Sequence, residues 1–169
     1  MKNLSDYLGR TLQFTQPSIW KRAFELRYGS EILGTLTYLK TLSTKAEAKI
    51  FDKNWELYEP KWWKNLIEIK EAGKEVPIAS YKPALLKSKG KILLPYGESL
   101  VLSANLFSTT LEILDHYNSR IVLLKRQLTL RTNYEIQIER RSEVLDRNPW
   151  VLLLIIYVEI NKNRRRSGS

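Results

Sequence analysis

The chain has no cysteine and a single histidine, His116, in 169 residues. Without cysteine there are no disulfide staples and no thiolate metal ligands, which favours a reducing compartment, the cytoplasm. The lone histidine follows Asp115 in "LDHYNS", where a general base would need a nucleophile or water held nearby. A solvated turn residue is the simpler reading. There is no Gly-rich phosphate loop, no paired-carboxylate pattern and no His-Cys-Asp ligand spacing. The expectation is therefore a protein without enzymatic activity, with no catalytic residues, no metal and no cofactor.

Acidic residues are in deficit: 18 Asp and Glu stand against 28 Lys and Arg, a net charge of +10. Such an excess attracts phosphate-bearing partners and also serves solubility. Long apolar runs are missing as well. The longest, residues 149 to 158 in "NPWVLLLIIYVEINKNRRR", falls far short of the roughly 20 residues that cross a bilayer. No transmembrane span is expected. The first residues, "MKNLSDYLGR", have no apolar core behind a basic start, so export by a signal peptide is not expected.

What is present is an internal repeat. "WKRAFELRYGSEILGTLTY" from Trp20, "WKNLIEIKEAGKEVPIASY" from Trp63 and "FSTTLEILDHYNSRIVLLK" from Phe107 align, and weaker matches begin at Ala48, Gly90 and Leu128. Within each unit apolar and polar residues alternate at period two. Phe24, Leu26 and Tyr28 oppose Ala23, Glu25 and Arg27; Tyr134, Ile136 and Ile138 oppose Glu135, Gln137 and Glu139. Turn chemistry at Gly29, Asn54, Gly73, Gly97, Asn118 and Asn133 joins the strands as hairpins.

Three repeats of four strands make an antiparallel meander of about twelve, and closing it into a barrel removes the exposed edges. "RTLQF", from Arg10, reads either as an edge strand or as a cover. A twelve-stranded barrel has a lumen that must be filled, since roughly 8 strands already use up their own side chains. The run from Trp150 to Ile160 is apolar on all sides, which marks a helix buried all round, at about residues 149 to 161. Its branched residues would also suit a strand, but helix is the stronger reading. Asn148 is placed to cap it, Pro149 suits its first position, and Arg164 to Arg166 match its C-terminal dipole. Residues 1 to 169 form one domain, with 162 to 169 a basic tail.

The hairpin order, "FELRYGSEILGTL" from Phe24, "WELYEPKWWKNLIEIKEAGKEV" from Trp55 and the final apolar helix resemble the LURP-one-related proteins of the tubby C-terminal-like superfamily. The likeness is one of pattern and covers roughly Thr11 to Lys162. It implies a twelve-stranded barrel around a central helix. Relatives in that superfamily include phosphoinositide-binding tubby proteins and phospholipid scramblases. Scramblases carry cysteine-rich acylated segments and a calcium site, which this chain lacks, so the resemblance does not extend to scrambling.

Charge placement indicates where a partner would bind. In a meander, alternate connections lie at the same end, so the hairpin turns share one end and the linkers the other. The linker end is basic, with Lys40, Lys45, Lys61, Lys64, Lys82, Lys87, Lys89, Lys125 and Arg126 as anion-binding candidates. The turn end leans acidic. If strand twelve runs toward the linker end, the helix N-terminus at Asn148 adds its positive dipole there, which suits phosphate. "KWWK" makes Trp62 and Trp63 membrane-interface candidates, because Trp favours the headgroup zone. Trp63 also aligns with Trp20 and Phe107, which makes repeat architecture the stronger account of the pair.

The expected function is binding of an anionic partner, foremost phospholipid headgroups at a membrane surface, by a monomeric cytoplasmic protein. The alternatives are a structural or protein-interaction module without a small ligand, and nucleic-acid binding. The last is disfavoured because Lys outnumbers Arg at the linker end and aromatic stacking platforms are few there.

Overall fold

A computed structural model describes residues 2–18, 22–40, 43–61, 65–84, 88–105, 107, 109–129 and 131–167. The alternating segments form twelve strands: β1 (Thr11–Thr15), β2 (Ala23–Tyr28), β3 (Glu31–Tyr38), β4 (Ala46–Ile50), β5 (Lys53–Tyr58), β6 (Ile67–Glu71), β7 (Ala79–Pro83), β8 (Lys89–Leu93), β9 (Ser99–Ala104), β10 (Thr110–Leu114), β11 (Arg120–Arg126) and β12 (Asn133–Ile138). Two helices follow, α1 (Glu143–Arg147) and α2 (Val151–Ser167). All neighbouring strands are antiparallel and the sheet closes into a barrel, as the edge argument requires.

Closure depends on β1. "RTLQF" is neither cover nor edge: β1 pairs with β12 from Thr11 opposite Gln137 to Thr15 opposite Asn133, and with β2 from Gln13 opposite Arg27. The count of twelve is therefore reached differently from three repeats of four. β2, β6 and β10 begin at Ala23, Ile67 and Thr110, close to the expected spacing, but after β12 the chain enters α1 and α2. β1 supplies the remaining strand. Of the three aligned aromatics, Phe107 is 83% exposed, while Trp20 and Trp63 lie outside the described residues.

The turns are locally encoded. Gly29 takes φ 57° in the two-residue link from β2 to β3, a left-handed conformation that suits glycine best. Asn118 takes φ 60° between β10 and β11. Two turns differ from expectation. The β4–β5 turn is Phe51 and Asp52, with Asn54 already inside β5. Asn133 opens β12, so "RTN" belongs to the β11–β12 connection at the linker end, and Arg131 joins the basic end.

α2 fills the lumen. Every residue from Trp150 to Glu159 is buried, and Trp150, Leu154 and Tyr157 are at most 1% exposed. Inward side chains of the strands meet it, among them Leu12, Phe14, Phe24, Leu26, Leu36, Ile50, Leu57, Ile69, Ile92, Leu124 and Ile136. Burying each such side chain contributes about 1.5–3 kcal/mol, which is why an all-apolar helix is stable here. The helix continues to Ser167, at about 1.5 Å per residue some 26 Å long, so residues expected as a basic tail are helical. No described helix is long and apolar enough to cross a membrane.

The direction of α2 overturns one expectation. β12 runs away from the linker end, so α1 and the start of α2 lie at the turn end. There Ser5 donates its amide (2.8 Å) and hydroxyl (2.6 Å) to Asp146, and Arg147 donates to Glu98 at 2.6 Å. Asn148 is consequently remote from the basic rim. It ends α1, it is buried, and its side-chain amide donates to the Val144 carbonyl at 2.9 Å. The C-terminus of α2 emerges at the linker end instead.

Candidate anion-binding end of the barrel

Six connections, β1–β2, β3–β4, β5–β6, β7–β8, β9–β10 and β11–β12, converge with the end of α2 on the linker end. Lys40, Lys61, Lys82, Lys89, Lys125 and Arg126 are all exposed there. Lys82 is next to last in β7, Lys89 starts β8, and Lys125 and Arg126 end β11, so strand tips hold these charges outward. Lys45 is half-buried and spent on Glu56, 2.7 Å away. That contact with Lys45 is the main force holding the Glu56 carboxyl below its usual range, against the cost of burial and with help from Lys70. Lys64, Lys87, Trp62 and Trp63 lie outside the described residues.

Lys40, Lys82, Lys89, Lys125 and Arg126 have no ion-pair partner among the described residues. The helix adds cations that sequence reasoning placed elsewhere. Arg165 donates to Glu59 at 2.6 Å and Asn65 at 2.9 Å, tying α2 to the β5–β6 connection. Arg164 and Arg22 lie 4.3 and 4.5 Å from the centroid of the Tyr38 ring. Favourable cation–π contact offsets part of the repulsion between the two guanidinium groups. Tyr38 in turn stacks on Tyr157 at 5.8 Å and donates its hydroxyl to Asn161 Oδ1 at 3.0 Å. Tyr157 donates to the Thr44 carbonyl at 2.6 Å. Burial pushes both phenols up, so they stay neutral donors.

Apolar side chains share this rim. Leu128 is 94%, Phe107 83% and Leu39 44% exposed, each on a different connection. Only burial against a partner would recover their transfer free energy. Sequence reading passed over Leu39 and Leu128 and took Phe107 only as a repeat position, because alternation identifies strand faces and says nothing about loops. The parity of the connections would have located Arg131 and Arg164 to Arg166 had "RTN" been counted with residues 125 to 130 as one connection.

His116 is an exposed residue of the β10–β11 turn at the opposite end. Its neighbour Asp115 serves the turn. Burial raises the Asp115 carboxyl, but the Ser119 amide, Arg140 and the Tyr117 amide outweigh it and hold the group below its ordinary value.

No protein-family model and no curated protein sequence matches the chain. The barrel is similar to an X-ray structure of an Arabidopsis thaliana protein, with a TM-score of 0.63 over 92% of this chain and 95% of that one. Identity between the two is 10%, so the similarity establishes the fold alone.

Proposed function

We propose that the chain is a LURP-one-related barrel of the tubby C-terminal-like superfamily that, without enzymatic activity, binds anionic phospholipid headgroups at a membrane surface through its linker end. The observation that carries this reading is the group of cations with no ion-pair partner among the described residues, Lys40, Lys82, Lys89, Lys125 and Arg126, on the same rim as exposed Leu39, Phe107 and Leu128. A cation near an anionic leaflet contributes about 1 kcal/mol. Five give about 5 kcal/mol, which on its own corresponds to binding weaker than about 0.1 mM. Burying Phe107 and Leu128 at about 1.5–3 kcal/mol each brings the total to about 8–11 kcal/mol, micromolar strength or tighter. Charge then sets the orientation and apolar contact the residence. The protein would sit in the cytoplasm, peripheral to the membrane, as a monomer.

Sedimentation with vesicles tests the reading. Binding should require anionic lipid and weaken as salt rises, because exposed charges are screened over about 10 Å at 0.1 M. Reversal of Lys82, Lys89 and Lys125 to Glu should abolish it, and reversal of Lys53, Lys74 and Arg141 should leave it nearly intact. Equal loss from both triples would reduce the effect to net charge. Tighter binding of short DNA or RNA than of vesicles at matched salt would favour a nucleic-acid partner. Binding to neither would favour a protein-interaction module.

A further inference from the structure

The lumen is filled unevenly around α2. On the side of β1 to β4, Phe14 stacks on Phe24 at 5.6 Å, Phe24 meets Tyr38 edge-on at 6.3 Å, and Tyr38 stacks on Tyr157 at 5.8 Å. Across the helix, β6 to β9 bring small or short side chains to the linker end. Gly90 has no room for a side chain, since a Cβ there would lie 2.3 Å from the Tyr81 ring. Ala104 and Ser88 fill little space, and a cavity of about 260 Å³ remains between these strands and the last turns of the helix. Ile67, Tyr81, Pro83, Leu102, Ala104 and Val158 give it apolar walls.

Polar groups of this cavity come from the last turns of the helix and from the β5–β6 and β7–β8 connections, and its charges are mostly matched. Glu159 is 3% exposed and pairs with Lys162 at 3.3 Å; Arg165 pairs with Glu59 at 2.6 Å. Arg166, an exposed lining residue, has no ion-pair partner among the described residues. Ser88 and Asn65 stand near as neutral hydrogen-bonding groups. The mouth therefore carries one cation in excess above apolar walls, complementary to a molecule with an aliphatic body and one negative head. The volume lies just below the range of about 300–1,000 Å³ usual for drug-sized ligands, which limits the occupant to one short chain.

We infer that this cavity is a binding pocket for the aliphatic chain of a single-chain anionic amphiphile of the fatty carboxylate class, its head held by Arg166 at the linker end. The pocket lies inside the barrel and the lysines assigned to headgroups lie outside it, so the two sites are separable. A free fatty acid and a one-chain lysophospholipid present the same chemistry, an aliphatic tail under an anion.

Calorimetric titration of the full chain with decanoate tests the inference, with decanol and decyltrimethylammonium as head-group controls. Decanoate should saturate a single site, and the cationic amphiphile should bind at least about tenfold more weakly. Ala104→Phe fills the cavity from β9 and should weaken decanoate by about tenfold or more while leaving sedimentation with anionic vesicles unchanged. Arg166→Gln should weaken decanoate and leave decanol as it was. Reversal of Lys82 and Lys89 should do the converse, sparing decanoate and reducing vesicle binding. A decanoyl lysophosphatidate binding more tightly than decanoate would assign the source to membrane lipid, and the reverse order to free fatty acid. The inference is overturned by failure of decanoate to bind, by equal binding of the cationic amphiphile, or by undiminished binding to Ala104→Phe. If that variant does not fold, an unchanged ratio of decanoate to decanol affinity in Arg166→Gln overturns it equally.

Discussion

The two ends of the barrel differ in how many of their cations are matched within the fold. At the turn end four cations are matched, since Lys2 meets Glu31, Arg120 bridges Glu112 and Glu139 at 2.8 and 2.7 Å, Arg140 meets Asp115, and Arg147 meets Glu98 at 2.6 Å, while exposed Lys53, Lys74 and Arg141 have no ion-pair partner among the described residues. The entry of the central helix is tied there as well, through Ser5 and Asp146. At the linker end Lys40, Lys82, Lys89, Lys125 and Arg126 face solvent without a carboxylate among the described residues, beside exposed Leu128 and Phe107. Charges that fold a protein are paired within it. Charges left unpaired beside exposed apolar groups do little for folding and remain available to a partner.

The sharpest break is a substitution that should remove both ends together. Leu154→Lys puts an unpaired charge beside the barrel axis, where Leu154 is 0% exposed, and should cost several kcal/mol, enough to unfold a marginal domain. A soluble variant melting like the parent would show that α2 does not fill the lumen.

A smaller effect is expected from Asp146→Ala at the turn end. It strips the Ser5 amide and hydroxyl of their acceptor and should lower stability by about 1–3 kcal/mol in chemical denaturation. Vesicle binding per folded molecule should not change. If binding fell with stability, the two ends would be coupled through the helix and the contrast between them would weaken.

Glu56→Gln at the Lys45 contact should cost less than about 1 kcal/mol, since such pairs are partly solvated. The Glu56 carboxyl is held below its usual value in the fold, so its contribution is present above the unfolded pKa and is lost as pH falls through the folded one. The difference in stability between parent and variant should therefore be full at neutral pH and vanish in acid. A difference constant with pH would locate the effect in packing.

The smallest stability effect belongs to the linker end. Phe107→Ser together with Leu128→Ser should leave the melting temperature within measurement error, because neither side chain is buried. Vesicle binding should nevertheless weaken by more than tenfold, and the loss should persist at high salt, where charge reversal no longer matters. Wild-type binding by this pair would show that the rim acts by charge alone.

Strand identity was largely legible. Alternation assigned inward residues such as Phe24, Leu26, Tyr134 and Ile136, because side chains on a strand alternate between faces by geometry. The uniformly apolar run at 150 to 160 identified the buried helix, because only a surrounded helix can be apolar on every side. The basic linker end was legible in part: Lys40, Lys61, Lys82, Lys89, Lys125 and Arg126 do gather there, since connection parity follows from strand order alone. Asn148 was misplaced, and Arg131 left out of the basic end, through one error, the assignment of Asn133 to a turn-end hairpin, which also reversed the helix.

Local sequence thus determined which segments are strands, which is the core helix, and where the tight turns fall, since each depends on residues within a few positions of one another. Tertiary structure alone decided the rest. β1 joins β12 across more than a hundred residues, Arg165 finds Glu59 at a separation of 106, and Arg147 finds Glu98 at 49. Whether a lysine is paired or free, and whether the lumen is full or leaves a cavity beside Ala104, depends on groups that meet only after closure. No local pattern records such meetings, because the interactions act through space between residues far apart in the chain.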